Sequence, residues 1–138
     1  MNKTLLILNI CISLIATAGS LFFSEVMEYP PCNLCWFQRI SMYPLIFLFS
    51  TGYLKEDKNC YLYSLPLSLM GQFFAVYHLL LHYEIIPESL APCTESISCS
   101  NVYVQYLGFI TIPLMSFTAF ALINTISIIS LRKTHNEE

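Results

Sequence analysis

Residues 36–54 read WFQRISMYPLIFLFSTGYL, and this stretch decides whether the chain crosses a membrane three times or four. Its uncharged part, 40–54, has 15 residues. That is short of the roughly 20 a helix rising 1.5 Å per residue needs to cross about 30 Å of hydrocarbon. A crossing here must begin near Trp36, which carries Arg39 into the first turns of the helix. Three other runs are long enough without such help. These are 4–24 between Lys3 and Glu25, 59–83 between Lys58 and Glu84, and the later part of the uncharged stretch 96–131. The expected spans are therefore about 4–24, 36–54, 60–83 and 106–131 within one transmembrane domain, 1–138. The predicted fold is an all-α, integral-membrane four-helix bundle. Pro66 and Pro113 are expected to kink their spans, which neighbouring helices can accommodate in a membrane.

Composition supports that reading. Of 138 residues, 56% are hydrophobic and only 11% charged, against roughly 25% charged in soluble domains. This excludes an ordinary water-soluble globule. The net charge of −3, with no basic run, lacks the phosphate-neutralising footprint of a nucleic-acid binder, so no nucleic-acid partner is expected. Lys3, Lys55, Lys58, Arg132 and Lys133 fall in the first tail, the middle loop and the last tail, whereas 25–35 and 84–105 hold no Lys or Arg. By the positive-inside rule both termini face the cytoplasm and the other two loops face outward. The chain is therefore expected to cross a membrane several times. Tyr29, Trp36, Tyr83 and Tyr103 on the outer side, and Tyr53, Tyr61 and Tyr63 on the inner, suit interfacial belts. Ala16-Thr17-Ala18 before Gly19 imitates a signal-peptide cleavage site, but the apolar run continues through Leu21, Phe22 and Phe23.

The six cysteines sort by this topology. Cys32 and Cys35 form a CxxC in the first outer loop, Cys93 and Cys99 a C-x5-C in the second, and Cys11 and Cys60 lie in spans one and three. The outer pairs face the oxidising side and are expected to be disulfides at rest. The membrane cysteines are expected to act as small hydrophobes. Closing the second loop, which carries Pro87 and Pro92, suits a structural staple. A CxxC bridge, however, closes almost no loop and removes little unfolded-state entropy, so redox use explains Cys32 and Cys35 better. Cys35 is expected at the start of span two, where the helix N-terminus and Arg39, four residues on, both favour a thiolate.

Arg39 needs a reason of its own, because an arginine within a membrane span is costly and implies a functional partner unless it snorkels to the headgroups. His78 and His82 lie near the outer end of span three, at about the depth of Arg39. A zinc site built from both histidines and the CxxC is disfavoured, since an oxidised pair cannot ligate. A thiolate beside an arginine in lipid calls for a lipid-soluble electron acceptor. Quinone takes two electrons as a dithiol gives two, and develops negative charge that Arg39 could stabilise.

The run Cys32-Asn33-Leu34-Cys35-Trp36-Phe37-Gln38-Arg39, followed by Cys93 and Cys99 in a four-span chain of this size, resembles the disulfide bond formation protein B (DsbB) family, and within it the compact BdbC-like branch. Gly19-Ser20-Leu21-Phe22-Phe23-Ser24 and Gly108-Phe109-Ile110-Thr111-Ile112-Pro113 extend the likeness over nearly the whole chain. The resemblance implies a dithiol:quinone oxidoreductase with ubiquinone or menaquinone as cofactor. It implies that Cys35 reacts with quinone, Cys32 is its bridge partner, and Arg39 and His78 line the quinone site. Cys93 and Cys99 would then exchange with a thioredoxin-fold, DsbA-like oxidase. Gln38 stands where some members carry Glu, and the second loop is shorter than in long-loop members. Competing readings are a reductant conduit using Cys11 and Cys60, a vitamin K epoxide reductase-like enzyme, and a disulfide-stapled assembly subunit. The conduit lacks an inner CxxC, the second reading places its CxxC late in the chain, and the third leaves Arg39 unexplained.

Overall fold

Asn2 accepts the backbone N–H of Thr4 at 3.1 Å and so caps helix α1, Lys3–Leu21. The computed structural model describes residues 2–91, 105–106 and 110–136. Past Leu21 the helix loosens into a π-turn, Phe22–Val26, in which Met27 N–H reaches back to the Phe22 carbonyl at 3.2 Å. Helix α2, Asn33–Lys55, follows after a short connection and ends where Glu56 turns left-handed at φ 53°. Helix α3, Cys60–His82, starts almost at once, so α2 and α3 form a tight helical hairpin. After a 3-10 turn at Glu88–Leu90, the strands β1, Gln105–Tyr106, and β2, Ile110–Thr111, pair antiparallel. They lead into helix α4, Ile112–Asn136.

Two boundaries differ from the sequence reading for identifiable reasons. Helix α4 begins at Ile112 rather than near 106, because the two short strands occupy the approach to it. Pro113 therefore sits in the first turn of α4, where its missing N–H has no intrahelical partner to lose, and it starts the helix instead of kinking it. The prolines within helices are Pro44 in α2 and Pro66 in α3. Helix α2 in turn starts before Trp36, with Cys32 in extended backbone as its N-cap.

Helix α1 packs on α2, α2 on α3, α3 on α4, and α4 back on α1, closing a ring of four. Small polar side chains fill much of the interior, and large apolar ones cover the outside. Asn9, Ser13, Ser64, Ser68, Asn124 and Ser127 are buried, while Ile15, Phe47, Phe73 and Leu54 are more than 60% exposed. In water this would leave the apolar surface unpaid for; in lipid it is the expected arrangement, since small residues let helices approach and lipid covers the rest. At Gly71 of α3 the Phe120 ring of α4 fills the place of a side chain, for a Cβ there would stand 2.2 Å from it. Helices α1, α3 and α4 are long and apolar enough to cross a membrane. Helix α2 matches α3 in length but buries Gln38, Arg39 and Ser41. Tyr61, expected at an interface, is fully buried against Phe49.

Candidate active site

The CxxC folds as a helix N-terminus. An N-cap side chain faces the third helical residue, so Cys32 at the N-cap meets Cys35 one turn on. Their sulfurs stand 3.4 Å apart, within hydrogen-bond reach of each other as thiols. This placement also moves the favoured anion. It is Cys32 that occupies the cap, nearest the unpaired N–H groups, while Cys35 lies inside the first turn. The hydrogen bond from the Cys35 thiol holds Cys32 well below the ordinary thiol range; burial opposes this and the nearby His78 imidazole adds to it.

His78 reaches the pair from α3, its Nε2 lying 3.9 Å from Cys32 Sγ. On the other side of the ring, Gln38 Nε2 lies 3.2 Å from Nδ1, and Ser116 Oγ of α4 donates to Gln38 Oε1 at 2.6 Å. Three helices thus meet in one hydrogen-bonded row, Ser116–Gln38–His78–Cys32. His82 stands apart, its ring edge-on to Tyr83. The Cys32, Cys35 and His78 donor atoms lie within 4.8 Å of one another, so three of the four positions of the zinc site weighed above come together and His82 is not in that group. The Gln38 amide nitrogen lies against Nδ1, and Nε2 is the ring nitrogen that faces Cys32.

Arg39 is 9% exposed and does not snorkel. Its Nε donates to Ser20 Oγ at 2.8 Å and one terminal nitrogen donates to the Ser20 carbonyl at 2.9 Å, while the guanidinium stacks over Trp36 at 5.3 Å. Ser20 lies in the last turn of α1, just before the π-turn. Among the described residues the only ion pair is Lys3–Glu56, and no described carboxylate pairs with Arg39.

All five of these side chains, Cys32, Cys35, Gln38, Arg39 and His78, line one cavity of about 610 Å³. Such a volume lies inside the roughly 300–1,000 Å³ range of small-molecule sites. Its walls are mainly apolar, including Ile12 of α1, Phe23 of the π-turn, and Leu114 and Phe120 of α4. The sequence reading named Cys32, Cys35, Arg39 and His78, and the structure brings these four together. Cys93, Cys99 and Tyr103 lie outside the described residues. Ser20, Gln38 and Ser116 were not among the expected site residues. Gln38 had a signal, a buried-face polar residue one turn from Cys35; Ser116 had none.

The family profile described as disulfide bond formation protein DsbB matches residues 2–130. The chain is 44% identical over 121 residues to the "probable disulfide formation protein C" of Halalkalibacterium halodurans, covering 88% of each chain. It is 42% identical to a "probable disulfide formation protein" of Oceanobacillus iheyensis, covering 95% of this chain and 91% of the relative. It is 40% identical to the "disulfide bond formation protein C" of Bacillus subtilis, covering 81% of each. No solved structure matches the chain.

Proposed function

The chain belongs to the DsbB family of disulfide-forming, multi-pass membrane proteins, and from this and the cavity we propose that it is a dithiol:quinone oxidoreductase of the bacterial cytoplasmic membrane. Its electron donor is a thioredoxin-fold, DsbA-like oxidase and its acceptor is ubiquinone or menaquinone. The observation that supports this most is a CxxC dithiol opening into an apolar cavity beside a buried arginine that pairs with no carboxylate among the described residues.

The cavity suits a flat ring with polar edges and an apolar tail: Arg39, Cys35 and His78 all line it, among mainly apolar side chains of α1 and α4. When bound, a quinone supplies a sink for two electrons and two protons. The partner dithiol gives two electrons and two protons to the Cys93–Cys99 bridge, which then exchanges through a mixed disulfide with Cys32–Cys35. Cys35 presents its sulfur to the cavity. Arg39, held by Ser20, places a positive charge where negative charge develops, in a setting from which apolar walls exclude water. His78 holds a proton beside Cys32. Both termini are cytoplasmic and both cysteine loops extracytoplasmic.

Purified protein in detergent tests this directly. It should reduce added quinone while oxidising a reduced thioredoxin-fold partner. Cys35→Ser should stop quinone reduction, and Cys93→Ser should stop partner oxidation yet allow quinone to reoxidise a chemically reduced Cys32–Cys35 pair. A wild-type protein that leaves quinone oxidised overturns the reading.

A further inference from the structure

The chain leaving helix α3 is folded back on itself rather than strung out. Tyr83 caps the helix, Glu84 turns left-handed at φ 57°, and the N–H groups of Glu84 and Ile85 return to the Leu81 and Leu80 carbonyls at 3.1 and 3.0 Å. This is the pairing of a Schellman turn, most often made by glycine; a residue with a Cβ holds it at a cost, and such strain persists where the surroundings fix it. The 3-10 turn then tightens the segment, with the Leu90 and Ala91 N–H groups on the Pro87 and Glu88 carbonyls. Two contacts close it onto the bundle. The Tyr77 hydroxyl of α3 donates to the Leu90 carbonyl at 2.8 Å, and Ile86 and Ala91 pack with Tyr77 and Phe74 against the buried cluster Cys32, Leu34 and Leu81. Cys32 itself is only 6% exposed. In the sequence Cys93 follows Ala91 by two residues, a length of chain that reaches at most about 7 Å.

We propose that Tyr77 is a positioning residue for electron transfer between the two cysteine pairs: by clasping the Leu90 carbonyl it fixes segment 84–91 against the Cys32 cluster, which brings the second pair to Cys32 and keeps free thiols away from it. The inference deepens the oxidoreductase reading and rests on it. The step served is an exchange in which a thiolate of the Cys93 and Cys99 pair bonds to the Cys32 sulfur as the Cys32–Cys35 bond breaks and Cys35 leaves as a thiolate. The other thiolate of the second pair then displaces Cys32. Two electrons pass to Cys32 and Cys35, the Cys93–Cys99 bridge is restored, and the two protons given up by the second pair are taken by the Cys32 and Cys35 sulfurs. Exchange within one chain runs at an effective concentration set by the tether, an advantage that a free thiol lacks. Counted from a fixed Ala91 the tether to Cys93 is two residues; counted from the end of α3 at His82 it is eleven. That ratio changes the probability of closure about tenfold.

The test uses the full chain in detergent, and its main readout needs no quinone. In a Cys35→Ala background the free Cys32 exchanges with the Cys93–Cys99 bridge, and peptide mass spectrometry after acid quenching reads the ratio of chains with Cys32 bridged to either cysteine to chains with Cys32 free. Tyr77→Phe, which removes only the hydroxyl, should lower that ratio about twofold to tenfold. In the reduced chain with both CxxC cysteines present, the same change should speed alkylation of Cys32 by a maleimide carrying a polyethylene-glycol chain. A flexible Gly/Ser insertion between Ala91 and Pro92 leaves the clasp in place, so it should lower the ratio severalfold without exposing Cys32. Tyr77 is not among the residues that line the cavity, so Tyr77→Phe should still pass electrons from dithiothreitol to a soluble quinone at the wild-type rate. An unchanged ratio in Tyr77→Phe or in the insertion overturns the proposal, as does an unchanged Cys32 alkylation rate in Tyr77→Phe. Should Tyr77→Phe fail to fold, the insertion decides alone. A wild-type chain that bridges and shields Cys32 as expected yet leaves quinone oxidised counts against the oxidoreductase reading alone.

Discussion

The two ends of the bundle bury the same kinds of side chain and use them in opposite ways. Toward the Lys3 end, Asn9 of α1 donates to Ser127 of α4 at 3.1 Å, and Ser68 of α3 donates to Asn124 of α4 at 2.5 Å. There polar groups answer one another across helices, and Gly71 lets Phe120 fill the space between. At the Cys32 end the polar groups are also buried, but Arg39, Cys35 and His78 front a cavity. A membrane bundle gains little from hydrophobic burial between its helices, so packing and hydrogen bonds must hold it together. The closed end supplies both. The open end forgoes packing, and the row Ser116–Gln38–His78 and the Arg39–Ser20 pair hold its helices instead.

The harshest way to break the contrast is to spoil the packed end. Gly71→Leu puts a side chain where a Cβ alone would overlap the Phe120 ring at 2.2 Å, and that ring must leave its place against α3. We expect little folded protein in detergent, read by size-exclusion chromatography; a monodisperse variant with normal melting would show that the closed end is not what holds the bundle.

Next in size is Arg39→Gln at the open end. It removes a cation and the donors to Ser20. A contact to developing charge contributes about 1.5–3 kcal/mol, and each 1.36 kcal/mol is tenfold in rate. Quinone kcat/KM should therefore fall about tenfold to a hundredfold, with thiol exchange by Cys93 and Cys99 nearly unchanged. Equal damage to both half-reactions would mean that Arg39 holds the fold rather than the site.

A pH series on the reduced protein sharpens the division within the open end. An ordinary thiol loses about tenfold in alkylation rate for each pH unit below its pKa of about 8.5. Cys32, held below that range, is already thiolate at neutral pH and should keep its rate as the pH falls from 8 to 7. The sign for stability follows. A thiol depressed in the folded state contributes above its unfolded pKa and loses that contribution as pH drops through the folded value. A Cys32 rate that falls tenfold over that unit would remove the asymmetry between the two sulfurs.

The smallest effect belongs to the closed end's polar pairs. Asn124→Ala leaves the Ser68 hydroxyl without its partner, and interhelical hydrogen bonds in membranes contribute about 1 kcal/mol. A melting midpoint lowered by a few degrees, with quinone reduction intact, is the expected outcome; lost activity at native stability would tie the two ends together.

Much of this architecture can be read from residue order. Helix number follows from where Lys and Glu interrupt apolar runs, because a charge in lipid is costly and a helix needs a fixed length to cross. The CxxC and Arg39 declare themselves because their chemistry is out of place among apolar neighbours. Local geometry adds that Cys32 and Cys35 meet, since N-cap and first turn always face each other. What lies beyond one helix was decided by packing. That Pro113 opens α4, that Arg39 is answered by Ser20, and that Gln38 meets Ser116 on one side and the ring of His78 on the other all depend on which helix stands beside which. A serine is an unremarkable residue in a membrane helix, and nothing in its neighbours along the chain distinguishes Ser116 from Ser127. Only the closed ring of helices puts the first against Gln38 and the second against Asn9.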